Sequence, residues 1–97
     1  MMSRFRLSPL AQTDLEDIWD YTFKRWDGDQ AEHHVQQIRQ TIEQLAGMPK
    51  LGRVCDDVRE GYRKYPVGSH IVFFRVRPDH IDVIRILHNR MDIDRHL

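Results

Sequence analysis

Apolar side chains recur at steps of three and four through the first half of the chain and alternate with polar ones through much of the second, a change of period that predicts helices followed by strands. The alternation of Arg4-Phe5-Arg6-Leu7-Ser8 predicts a short opening strand with Phe5 and Leu7 on one face. Ser8 then caps a helix, and Pro9 takes the first helical position, where its missing N–H costs nothing. Leu15, Ile18, Trp19, Thr22 and Trp26 form one apolar stripe through about residue 26, so both tryptophans read as core. Asp14, Glu16 and Asp17 fall early enough to favour the positive end of the helix dipole. Asp27-Gly28-Asp29 breaks the helix and supplies a fresh cap, after which Ala31, Val35, Ile38, Ile42 and Leu45 carry a second helix to about Gly47 and Pro49. Helices joined by so short a break predict an antiparallel hairpin whose apolar face covers a sheet.

Residues 47–61 hold glycines, a proline and the Asp56-Asp57 pair, and read as a loop with little regular structure. Residues 62–67, 69–77 and 80–88 read as three strands separated by Gly68 and by Pro78-Asp79, with Pro66 predicting a short or interrupted end to the first. The middle strand is apolar on both faces, Ile71 and Phe73 on one, Val72, Phe74 and Val76 on the other. Helices on one side leave the second face to be covered by a partner or by the 47–61 loop and the C-terminal tail. Strand parity sets Arg85 beside Ile81, Val83 and Leu87 and opposite Asp82. A charge in that row requires either an acidic partner across an interface or a helix carboxylate such as Asp14 or Glu16. The fold class is α+β: an N-terminal strand and a helical hairpin packed on a small antiparallel sheet, one domain over residues 1–97. After His88 no further element follows to bury Arg90, Met91, Arg95 and Leu97, so the tail is a candidate working surface.

At 97 residues the chain supports one modest core and no deep pocket for a large cofactor. A zero net charge hides an asymmetry: residues 1–48 hold five Lys/Arg against eight Asp/Glu, residues 49–97 ten against seven. The basic half suits an acidic partner segment or a phosphate. Cys55 stands alone, which rules out an intrachain disulfide and favours a reducing, cytoplasmic setting. Its two neighbouring aspartates raise the thiol pKa, the wrong direction for a nucleophile. The first residues lack a signal-peptide core, and no apolar run reaches membrane-spanning length. His33, His34, His70, His80, His88 and His96 show no metal-ligand spacing, and no phosphate loop or Cys-x-x-Cys occurs.

The segments Ser8-Pro9-Leu10-Ala11, Asp14-Leu15, Ile18-Trp19-Asp20-Tyr21, Gly52-Arg53 and, most specific, Leu87-His88-Asn89-Arg90-Met91-Asp92 closely resemble the ParE toxins of type II toxin–antitoxin modules, within the RelE/ParE superfamily. The resemblance implies the α+β fold above, a toxin that poisons DNA gyrase without a cofactor, and neutralisation by a ParD-like antitoxin whose extended C-terminal segment wraps the toxin. DNA is then met only indirectly, through the antitoxin's DNA-binding domain. It also suggests Arg63, Phe73 and Arg85 as antitoxin contacts, and Arg90, Met91 and Arg95 as target contacts. The superfamily's other branch cuts messenger RNA on the ribosome. Where such nucleases carry arginines, this chain has Ile71 and Asn89, leaving His88, Arg63, Arg85 and Arg90 as the set a ribonuclease would have to use. A homologue that binds antitoxin without being toxic is the remaining alternative.

Overall fold

The computed structural model describes residues 4–97. The elements run β1 (Phe5–Leu7), α1 (Pro9–Arg25), α2 (Gly28–Gly47), a 3-10 turn (Pro49–Leu51), β2 (Arg53–Val54), β3 (Tyr62–Val67), β4 (His70–Val76), β5 (Ile81–His88) and α3 (Ile93–His96). One five-stranded sheet has the order β1-β5-β4-β3-β2. Its strands pair antiparallel except at one edge, where β1 lies parallel to β5, so the α+β fold carries a mixed sheet.

Ser8 does more than cap. Its Oγ accepts from Ala11 N at 3.0 Å and donates to the Ile84 carbonyl at 2.6 Å, while its N–H donates to the Val83 carbonyl at 2.9 Å. The start of α1 is thereby fixed to β5. Asp27 caps α2, its Oδ1 accepting from Gln30 N at 2.8 Å. Trp26 sits between the helices rather than on the stripe, and it is 69% exposed, which corrects its expected place in the core. Trp19 does pack on the core and stacks with Phe23 at 5.1 Å. No acidic residue lies in the first turn of α1, so the dipole does not account for Asp14, Glu16 and Asp17.

The β3–β4 hairpin closes on the Val67–His70 pair through Gly68, whose φ of +60° is the left-handed geometry such a two-residue loop needs. β3 runs straight through Pro66, contrary to expectation. Tyr62 faces its carbonyl toward β2, accepting from Cys55 N, and Pro66 shares that parity, so its missing N–H points to the open edge and no β4 bond is lost.

The main core lies between the helices and one sheet face, from Leu15, Ile18, Ile38, Ile42 and Leu45 to Val72, Phe74, Val83 and Ile86. The opposite face carries a smaller cluster, Cys55, Phe73 and Leu87, packed by Val58, Tyr62, Ile71, Ile93 and Leu97. The 47–61 segment and the tail therefore cover the second face. That corrects two expectations: α3 follows His88 and Leu97 finds a surface beside Ile93, and residues 47–61 include the 3-10 turn and β2. A register shift between Phe73 and Phe74 pairs Phe73 with Arg85 but Phe74 with Val83, leaving Ile84 as the extra residue in β5. Parity reverses there. Arg85 shares its face with Phe73 and Leu87, not with Ile81 and Val83 as the unbroken alternation predicted.

Candidate partner-binding site

β1 pairs only with Ile81–Val83, so the β5 edge beyond it would be bare were it not for α1. Asp14 fills that position. Its Oδ2 accepts from Ile86 N at 2.9 Å and from Arg85 Nε at 2.8 Å, and its Oδ1 accepts from Arg85 Nη2 at 2.9 Å. Of the alternatives for Arg85, the structure shows the helix carboxylate. The remaining guanidinium nitrogen, Nη1, donates to the His96 carbonyl at 3.1 Å, joining helix, strand and tail. Both side chains are largely withdrawn from water, and the bidentate bond from Asp14 pushes the Arg85 pKa further up against the opposing cost of burial.

Beside this clamp, α1, the start of α2 and the ends of β4 and β5 enclose an open groove of about 670 Å³. Its floor is three imidazoles. His70 and His88 are register partners, and the His70 ring centroid lies 5.3 Å from that of His34 and 5.3 Å from that of His88. Burial first, then the neighbouring His34 and His88, lower the His70 pKa from its usual value to about 4, with Asp14 opposing. Burial and His33 lower that of His34 as well. The His70 ring is therefore held in its neutral form at physiological pH. His70 Nδ1 is buried without a hydrogen-bond partner. His88 Nδ1 accepts from Arg90 N at 3.1 Å. No group of three or more His, Cys, Asp or Glu side chains placed to hold a metal ion occurs among the described residues. Ile18, Thr22 and Ile86 supply apolar wall, and Asp17, Tyr21, Trp26 and Met91 form the rim.

The residues suggested for binding are dispersed over the molecule. Arg63 lies on the helix-side face in register with Phe74, its Nη1 donating to the Gly52 carbonyl at 2.7 Å. Phe73 is 0% exposed beneath the tail, and Arg85 is held by Asp14. Arg90, Met91 and Arg95 are exposed. Of the set left to a ribonuclease, His88 and Arg90 are brought together, while Arg85 turns to the opposite face. Arg63 stands four residues along β4 and two strands across from His88, about 13 Å and about 10 Å by strand geometry. Sequence reasoning missed the floor of the groove, His34 and His70, because strand pairing of His70 with His88 and the packing of α2 on the sheet, not spacing, assemble it. It missed the exposed Trp26 because helical period does not say where a helix ends.

Fold and groove together define a small α+β domain with an open groove rimmed by Asp17, Tyr21, Trp26 and Met91. Residues 5–93 match the family described as the ParE toxin of type II toxin–antitoxin system, parDE. The chain is 51% identical over 98 residues to Toxin ParE1 of Mycobacterium tuberculosis, covering 100% of each. It is 41% identical over 96 residues to Toxin ParE1 of Caulobacter vibrioides, covering 99% of each. A solved structure described as a chromosomal ParDE TA system from P. aeruginosa shares the fold with a TM-score of 0.78 at 22% identity, covering 90% of this chain and 96% of that one. The chain belongs to the ParE family of type II toxins.

Proposed function

We propose that this toxin inhibits DNA gyrase by binding, with no bond-breaking chemistry of its own, and that a ParD-like antitoxin neutralises it in the cytoplasm by wrapping its surface. The observation that carries the reading is the full-length likeness to ParE1 toxins. The dispersal of His88, Arg63 and Arg85 supports binding over ribonuclease action. Arg90, Met91 and Arg95 act on the target from the exposed side of the tail, whose other side is anchored by Ile93 and Leu97. Arg63 is a direct antitoxin contact, Arg85 supports the surface through Asp14, and Phe73 is reached only where the tail lifts.

Purified antitoxin-free toxin added to gyrase and plasmid is expected to abolish supercoiling and to leave trapped DNA breaks, and equimolar antitoxin is expected to restore activity. Messenger cleavage on ribosomes without DNA breaks would replace this reading with the RelE-like one. Tight antitoxin binding by a chain inert in both assays would make it a non-toxic homologue.

A further inference from the structure

We propose that the histidine-floored groove receives one arginine side chain of the antitoxin's wrapping segment, its guanidinium stacked on Trp26 and paired with Asp17. This deepens the antitoxin reading above and rests on it.

The charge of the lining selects a cation. Asp14 and Asp17 are its only formally charged members. Both oxygens of Asp14 are occupied by Arg85, one of them also by Ile86 N, whereas among the described residues no salt bridge engages Asp17. A carboxylate entering here would meet a like charge over a floor where burial disfavours the charged form of both His34 and His70.

The shape and the aromatic rim select arginine over lysine. Trp26 is 69%, Tyr21 63% and Met91 46% exposed, three large apolar side chains around one mouth. Tyr21 already carries the Arg25 guanidinium 5.5 Å from its ring centroid, while no cation lies over the indole of Trp26 among the described residues. A planar guanidinium stacks on an indole and still directs N–H groups edge-on, toward Asp17 at the rim. An ammonium offers no such plane. Apolar residues flanking the arginine would fill the rest of the groove against Ile18, Thr22 and Ile86.

The test uses the full toxin and the full antitoxin of the same operon, titrated calorimetrically, with each antitoxin arginine changed in turn to glutamine. One of these changes is expected to weaken binding on the order of tenfold. That loss is expected to shrink severalfold in Asp17→Asn and in Trp26→Ala toxins, both altered at exposed positions that leave the fold intact by circular dichroism. In a Trp19→Phe toxin, where Trp26 is the remaining indole, its fluorescence is expected to change with wild-type antitoxin and not with the critical variant. If wild-type antitoxin binds tightly but Asp17→Asn and Trp26→Ala bind it equally well, or no arginine matters, the arginine assignment fails and the antitoxin reading survives. If the wild-type pair does not bind, both fall together.

Discussion

At the scale of single residues, Asp14 accepts three hydrogen bonds on its two carboxylate oxygens. It closes the β5 edge, neutralises Arg85 and, through Arg85, reaches the His96 carbonyl. Truncation strands a guanidinium and a backbone N–H together, so Asp14→Ala is expected to lower the free energy of unfolding in urea by about 2–3 kcal/mol, below the range for fully buried pairs because both side chains retain some solvent contact. His70 links stability to pH. Its folded pKa of about 4 lies below the ordinary 6.5, so as pH falls the unfolded chain takes up the proton first. The contribution is fully present above about pH 7 and is lost as the pH drops through the unfolded value toward 4. After discounting for the part of the ring that water reaches, the loss is about 1–2 kcal/mol, and His70→Gln is expected to flatten that stretch of the stability–pH curve. A curve equally steep in the variant would assign the slope to other groups. The sequence disclosed Asp14 and Glu16 as candidate partners for Arg85; geometry chose Asp14, because only its carboxylate also meets the unpaired N–H of Ile86.

At the scale of elements, caps and turns were legible because their chemistry is local: Ser8, Asp27 and Gly68 act on atoms within a few residues. The bulge at Ile84 was not, since an extra residue in β5 declares itself only against the register of β4. Gly52, after the 3-10 turn, is a second such position. A Cβ there would collide with the Phe74 ring and crowd Arg63 Cβ at 3.3 Å, so Gly52→Ala is expected to cost about 1–3 kcal/mol in chemical denaturation despite an ordinary backbone conformation. The tail allows stability and toxicity to be separated. Ile93→Asp places a charge against the Phe73–Leu87 cluster and is expected to lower stability by about 2 kcal/mol. Arg90→Ala and Arg95→Ala, on the exposed side, are expected to change stability by less than about 0.5 kcal/mol while weakening gyrase inhibition. Full gyrase inhibition by the double alanine variant would remove the tail from the mechanism. Deleting residues 90–97 would confound the two effects, since it uncovers Phe73 and Leu87.

At the scale of the whole molecule, the sheet is covered on both faces, by the hairpin on one and by the 47–61 segment with the tail on the other, and Arg85 with Asp14 bridges the layers. Such cross-linking predicts one cooperative unit: far-ultraviolet circular dichroism and the fluorescence of a Trp26→Phe variant, reporting Trp19, are expected to give coincident urea transitions. An earlier transition in one probe would show that the layers melt separately. The helical hairpin, four of the five strands and the two-faced apolar character of β4 were legible in the sequence, because helical period, capping chemistry and strand alternation are properties of near neighbours, whereas the two-residue β2 is too short to show a period. The parallel pairing of β1, the side on which Arg85 emerges, the exposure of Trp26 and the meeting of His34, His70 and His88 were decided only by tertiary structure. Each depends on which distant segment lies alongside and in what register, and a shift of one residue in register exchanges the faces of a strand.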